Sequence, residues 1–468
     1  MAAFSRQAID GVFDACIIGG GVVGCAMARR LTLEGLRVIL LERAPDILAG
    51  ASKANSAILH TGFDAPPGSV ELACMQAGYA EYLTLMEPMN LPLLRTGALV
   101  VAWTEQEEQA LDAILAQAHL NGVSETRRLD MHELRRRAPH LAHHALGAVE
   151  VPEEHLIDPW SAPLGYLRQA VDNGAQALFR AEVSGGHFNG DTWTLDTSCG
   201  PIHAAMVVNC AGLFGDRIEE ALLGASDFHI RPRKGQFVVF DKAAAEYVGP
   251  ILLPVPSAHT KGIVVTRTVF GNVLVGPTAE EQDDRLHAAV DGDTLHLLAA
   301  RLVEMVPALA GMPVTATYAG LRPATEKKEY RIHHHADRNM VTVGGIRSTG
   351  LTAALGIAQH VFKLGWSERA PLTPLSEPIC FPMPNLAEHL PRPWQGESCG
   401  EIVCHCERVT RNEIEAALAG PLAAGNLGGL KRRTRACMGR CQGFYCTARV
   451  AELAQGRLDI PLAEEPRS

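Results

Sequence analysis

Two places in the chain hold residue types that could do chemistry. Near one end, Cys404-His405-Cys406 puts two thiols one residue apart, and Cys437, Cys441 and Cys446 follow. Thiolates are soft ligands, so this set suits an iron–sulfur centre or zinc. Zinc ribbons are dominated by Cys-x2-Cys pairs; Cys-x-Cys with Cys-x4-Cys has another spacing and favours iron–sulfur. Near the other end, Gly19-Gly20-Gly21-Val22-Val23-Gly24 satisfies G-x-G-x-x-G. In that pattern Gly19 makes the tight turn, Gly21 lets a pyrophosphate approach the backbone, and Gly24 lets a helix pack on a strand. A dinucleotide cofactor wired to a one-electron relay would need both.

The elements around these residues must position them. An apolar strand Ala15–Ile18 leads into the glycine turn, a helix Cys25–Leu33 follows, and a second strand Val38–Leu41 ends in Glu42 and Arg43. The helix N-terminus would face phosphates, and Glu42 would accept hydrogen bonds from a ribose diol. Two later segments favour FAD over NAD. One is Val207-Val208-Asn209-Cys210-Ala211-Gly212; the other is Val341 to Gly345, running into Ile346-Arg347-Ser348-Thr349-Gly350-Leu351-Thr352 and a small-residue helix Ala353–Ala358. Amides at that helix start could receive the negative charge of a reduced flavin. Helices are also expected over Glu105–Ala118 and Ala162–Asp172. Strands of a separate antiparallel sheet are expected at Ala98–Trp103, Gly235–Phe240, Gly262–Arg267 and Asn272–Val275. Seven prolines between 371 and 393 read as a semi-rigid linker or wrapping arm. Thr410-Arg411-Asn412-Glu413 is a capping box opening a helix Glu413–Leu418.

Composition bounds the function. The 468 residues allow about three domains. A net charge of −10 argues against general nucleic-acid binding. No apolar run approaches the roughly 18 residues of a membrane span. The leading residues lack the apolar core of a secretory signal, and twelve cysteines then imply a reducing, cytoplasmic setting. Contact with the inner face of the cell membrane would come through a partner.

The order of these segments resembles the D-amino-acid-oxidase-type FAD oxidoreductases over roughly 14–365. The closer likeness is to glycerol-3-phosphate dehydrogenases and L-2-hydroxyglutarate dehydrogenases. This implies a Rossmann-like α/β FAD-binding domain (segments 14–90, 150–225 and 315–365) and an antiparallel-sheet substrate domain (91–149 and 226–314). It also implies that Ala51 to Gly62, with Ser52, Asn55, Ser56 and His60, lies against the flavin. Val183 falls where such proteins contact the adenine part through backbone. Gly212, Gly345, Ile346, Gly350, Leu351 and Thr352 complete the expected FAD contacts. Arg322, in Tyr318-Ala319-Gly320-Leu321-Arg322-Pro323, resembles the arginine that binds a substrate carboxylate or phosphate, and a guanidinium fork suits either. Arg231, Arg233 and Lys234 are second-choice anion ligands. His60 could take a hydroxyl proton, hydrogen-bond the flavin, carry it covalently, or simply pack. His333-His334-His335 would alternate faces on a strand and reads as a polar edge.

Beyond a linker at 366–398, residues 399–455 resemble the small helical [2Fe–2S] domain related to bacterioferritin-associated ferredoxin, with 456–468 as a tail. That domain also ends the large subunit of anaerobic glycerol-3-phosphate dehydrogenase and occurs in opine and cyanide-forming amine dehydrogenases. The likeness implies Cys404, Cys406, Cys441 and Cys446 as ligands; Cys437 stands where glycine is more usual and could compete. The basic run Lys431, Arg432, Arg433, Arg435 and Arg440 would raise the potential of an anionic cluster, or be a solvated face. The resulting expectation is an FAD-dependent dehydrogenase acting on a small anionic secondary alcohol, glycerol 3-phosphate or a 2-hydroxy acid such as L-2-hydroxyglutarate. Electrons would leave through a [2Fe–2S] cluster to a partner subunit or quinone-linked acceptor. The rival readings are an opine or amine dehydrogenase component and a non-catalytic electron-transfer flavoprotein.

Overall fold

Strand Val12–Ile18 is the hub of the molecule. It pairs in parallel with Val38–Glu42 on one side and Ile202–Asn209 on the other. Gln176–Phe179 and Met340–Gly344 extend the parallel set. A hairpin, Val183–Phe188 with Trp193–Thr197, and the edge strand Arg331–His335 add antiparallel pairs, giving eight strands. The central strands are buried on both faces, as parallel strands under helices must be, which is why Val38–Leu41 reads as an unbroken apolar run. This computed structural model describes residues 11–256, 262–367, 371–397 and 399–462. The leader 1–10 and the end of the tail, 463–468, lie outside them.

Helices Val22–Leu33, Val70–Leu85 and Gly350–Trp366 pack together over one face of this sheet. The first begins three residues earlier than Cys25, directly on the glycine turn. The last begins at Gly350 and runs well past Ala358, because Val361 and Trp366 continue its buried face. Helix Ser161–Asp172 is anchored by Asp158, whose carboxylate accepts from the Trp160 and Ser161 amides and the Ser161 hydroxyl.

The second sheet has nine strands. It is antiparallel apart from one pair, Ala98–Ala102 with Ile251–Pro254. Those two strands come from the two separate stretches of chain that build this domain, so no hairpin forces them antiparallel. Strand Val314–Ala324 pairs along Arg231–Phe240 from Arg231–Ala324 to Phe240–Val314. Residues 315–324, expected with the FAD-binding segments, therefore belong to the second sheet's ladder.

The proline-rich stretch is not a free tether. Its amides at Leu375, Met383 and Glu388 donate to the carbonyls of Leu33, Met89 and Val269, and Leu386 and Ala387 are buried. Beyond it, a short hairpin (Ile402–Cys404, Val409–Thr410) and helices Arg411–Ala417, Leu427–Thr434 and Thr447–Ala454 enclose a core of Val403, Val409, Ile414, Leu430 and Val450. Thr410 and Glu413 form both bonds of the capping box, and the helix starts at Arg411. The whole is a mixed α/β fold built on two large sheets, with a small helical C-terminal domain.

Candidate active site and redox centre

A cavity of about 810 Å³ opens where the two sheets meet. It is large enough for an extended cofactor and a small substrate. Gly19, Gly21, Glu42, Arg43, Ser52, Asn55, Ser56, Val183, Gly212, Arg322, Gly345, Ile346, Gly350 and Leu351 all line it. They come from strand ends and helix starts of the first sheet and from the second sheet's long strand. Gly24, Thr352 and His60 are not among the lining residues. Gly24 acts beneath the turn, where a Cβ would stand 1.9 Å from the Gly19 carbonyl oxygen. Thr352 accepts from the His60 amide at 3.0 Å.

The fit to FAD rests on what is missing from this lining as much as on what is there. No N-cap side chain closes helix Val22–Leu33 or helix Gly350–Trp366. At the first, only the Ser52 hydroxyl accepts, from the Val22 amide at 3.1 Å, so two partly positive helix ends face one cavity. At Gly19, where φ is +111°, a Cβ would meet the Cys210 carbonyl oxygen at 2.5 Å. Glu42 is engaged locally: its carboxylate accepts from the Gly20 and Ala44 amides at 2.6 and 2.8 Å. Burial raises its pKa, and these amide bonds oppose the shift. Arg43 lies 3.8 Å from the Phe214 ring centroid.

Arg322 reaches the cavity from the second sheet. Its guanidinium donates to the carbonyls of Arg233, Lys234 and Thr278 at 3.4, 3.2 and 2.5 Å. Burial pulls its pKa down to about 10, and the charge of Arg233 adds to the effect. A half-buried cation braced by carbonyl dipoles is disfavoured until an anion arrives. Arg347, which the sequence alone does not mark for a role, lines the same cavity. It donates to the carbonyls of Thr325 and Lys327, and its Nε is buried without a hydrogen-bond partner. Arg233 and Lys234 are instead paired with Glu281 and Glu280 at 2.8 and 2.9 Å, and neither they nor Arg231 line the cavity.

His60 has a partner that the sequence did not reveal. Its Nδ1 lies 2.8 Å from Glu154, whose fully buried carboxylate also accepts from the Thr61 amide and hydroxyl. A carboxylate on Nδ1 fixes the ring and leaves Nε2 as the basic nitrogen. Glu154 sits in Val151-Pro152-Glu153-Glu154-His155, a run with no motif to flag it. In the His333–His335 strand, His333 lies 3.5 Å from Asp227 and His335 lies 3.0 Å from Glu219.

The five C-terminal thiols cluster. Cys404 meets Cys446, and Cys406 meets Cys441. Among the described residues no three His, Cys, Asp or Glu side chains are set to cage a single ion. Paired thiols suit a two-iron centre, which takes four cysteine ligands in all. Arg432, Arg433 and Arg435 of the basic run are not a solvated face, whereas Arg440 is 71% exposed. Arg433 forks onto Asp46 with two 2.8 Å bonds, and both side chains are buried. Arg432 donates to the Ile47 carbonyl, Arg435 to Glu407, and Arg440 to Asp241. Arg432 and Arg433 thus clamp the cysteine domain to the loop that follows Glu42, Arg440 ties it to the second-sheet domain, and Arg435 braces it internally.

Residues 14–364 match the family described as FAD dependent oxidoreductase, and residues 402–455 match the BFD-like [2Fe-2S] binding domain. A glycerol 3-phosphate dehydrogenase of Caloramator mitchellensis is 32% identical over 465 residues, 97% of this chain and 96% of that protein. One subunit of the anaerobic glycerol-3-phosphate dehydrogenase of Escherichia coli (strain K12) is 26% identical over 504 residues, 94% of this chain and 88% of its own length. The solved structure of dithionite-reduced L-alpha-glycerophosphate oxidase from Mycoplasma pneumoniae with FAD bound superposes with a TM-score of 0.73. Its sequence identity is 26%, and the match covers 79% of this chain and 98% of that one.

Proposed function

The chain belongs to the FAD-dependent oxidoreductases, with FAD and a [2Fe–2S] cluster as cofactors and chemistry of the glycerol-3-phosphate dehydrogenase type, and from that premise we propose that it oxidises the secondary alcohol of glycerol 3-phosphate and sends the electrons to a partner through the cluster. The observation that carries the anionic-substrate reading is Arg322, a half-buried guanidinium held only by carbonyls at the cavity wall; the likeness to a glycerol 3-phosphate dehydrogenase favours phosphate. A phosphate dianion would supply the missing countercharge, and Arg347 would be its second donor.

Bound FAD supplies the hydride acceptor. The chain's part is to orient and to move a proton. Arg322 and Arg347 fix the phosphate end. His60, 22% exposed and just outside the cavity lining, is the group we assign to take the hydroxyl proton on Nε2, with Glu154 stabilising the imidazolium that results. Ser52, Asn55 and Ser56 border the cavity on the segment that leads to His60. Cys404, Cys406, Cys441 and Cys446 would hold the cluster, which supplies one-electron steps. An electron acceptor would dock near Phe444 and Tyr445, which are 83% and 78% exposed on the turn between Cys441 and Cys446. No helix among the described residues is long and apolar enough to cross a membrane. Contact with a quinone-linked acceptor at the membrane would therefore run through the partner.

Anaerobic titration of the coloured protein tests this reading. Glycerol 3-phosphate should bleach the flavin and then reduce the cluster. Bleaching by L-2-hydroxyglutarate alone would move the substrate to the 2-hydroxy acids. Bleaching only by amino acids or opines would make the reaction a C–N oxidation. No bleaching by any of them would leave an electron-transfer flavoprotein.

A further inference from the structure

Cys437 is the thiol that the four-ligand assignment leaves unused. Its sulfur lies 3.5 Å from that of Cys446, and both residues are buried. Its φ is +62°, in the left-handed region that favours glycine and that a cysteine seldom adopts. That conformation serves the neighbouring thiols, because the Cys437 amide donates to the sulfurs of both Cys404 and Cys446. A glycine would present the same amide without strain. What cysteine adds is a sulfur, directed at Cys446 of the Cys404–Cys446 pair and away from solvent.

We propose that Cys437 is an exchangeable ligand of the [2Fe–2S] centre, able to replace Cys446 on the iron that Cys404 also holds. The inference rests on the ligand assignment given above. In the exchange one iron–sulfur bond to Cys446 breaks and one to Cys437 forms. The Cys437 thiol releases its proton and the Cys446 thiolate takes one up, so charge and oxidation state are unchanged. Cys406 and Cys441 meet each other at the second pair, and the Cys437 sulfur contacts Cys446 and Thr447. The exchange is therefore confined to one side of the centre.

The test uses full-length holoprotein. Iron and acid-labile sulfide are measured per FAD, and the dithionite-reduced cluster is observed by electron paramagnetic resonance. Cys441→Ala should lower cluster content about ten-fold or more, as loss of a true ligand does. Cys446→Ala should keep most of its iron and sulfide with a shifted resonance, Cys437→Gly should match the wild type, and the double variant should fall to the Cys441→Ala level. Cys446→Ser, nearly isosteric, repeats the comparison if the alanine variant folds poorly. The proposal is overturned if Cys446→Ala and Cys446→Ser lose the cluster as Cys441→Ala does while retaining FAD. It is equally overturned if adding Cys437→Gly to Cys446→Ser changes nothing. Retention of the cluster by Cys441→Ala would instead defeat the ligand assignment itself, and this inference with it.

Discussion

The flavin cavity and the cysteine centre are built in opposite ways. The cavity gathers its walls from Ile18 to Leu351, nearly the whole length of the first two domains. The cysteine centre draws every thiol from between Cys404 and Cys446. A large cofactor needs many strand ends and helix starts converging, so its site exists only when two sheets and three helices are in place. A small inorganic centre needs a few soft ligands on short loops, and its bonds with metal contribute to folding the domain that holds it. One site is an outcome of the global fold; the other is nearly a local one.

Breaking each site separately tests that contrast, and the largest effect is expected at Gly24. In Gly24→Val the new side chain would collide with the Gly19 carbonyl, which a Cβ alone would approach to 1.9 Å. Both atoms belong to the strand–turn–helix unit and neither can swing aside. Destabilisation of more than about 4 kcal/mol is expected, in the range reserved for steric or backbone violations. FAD per protein after gel filtration should fall to a trace, while iron and sulfide persist in the C-terminal domain. A fully flavinated Gly24→Val protein would show that the turn has more slack than its geometry allows.

The same contrast explains what the sequence disclosed. Local chemistry is written in residue types, so the glycine turn, the acid ending the second strand and the cysteine set were readable directly. Long-range pairing is not. Nothing near Arg322 says that its strand pairs with Arg231–Phe240. Glu154 lies 94 residues from His60, and the Asp46–Arg433 pair spans 387 residues. A single buried carboxylate leaves no periodicity behind it. Helix Val70–Leu85 escaped notice for another reason: Val70, Ala73 and Ala80 are apolar yet exposed, which blurs the stripe made by Leu72, Met75, Tyr82 and Leu85. The basic run was visible as charge, but its use as a clamp required Asp46, Ile47 and Asp241 to be located in space.

Next in size is the seam between the two regions. Asp46→Ala would leave the Arg433 guanidinium buried without its carboxylate, at a cost of about 3 kcal/mol to docking of the C-terminal domain. Each site should stay loaded, because neither uses Asp46. Stopped-flow mixing with substrate should show normal flavin bleaching followed by slowed cluster reduction. An unchanged second phase would mean that docking through Arg433 does not set the electron path.

Within the cavity, Arg322→Leu should lower kcat/KM for flavin reduction about 30-fold, the equivalent of about 2 kcal/mol for a charge-assisted contact. Most of that loss should be in KM, since the phosphate is bound equally in ground and transition states. Arg322→Lys should recover little, because an ammonium cannot reproduce the fork. A substrate dependence identical to the wild type would exclude Arg322 from anion binding.

The smallest effect is expected at the tip of the local site. Phe444 and Tyr445 meet edge to face with centroids 5.1 Å apart and stand exposed between two proposed ligands. Neither closes the domain core, so replacing both with alanine should change stability by only about 0.5 kcal/mol. Exposed aromatic pairs beside a redox centre are where an acceptor would gain most from docking. The double variant should keep its flavin, its cluster and both internal reduction phases, yet reoxidise several-fold more slowly with the physiological acceptor than with ferricyanide. Equal slowing with both acceptors would place the defect inside the cluster domain, and no slowing with either would put the partner on another face.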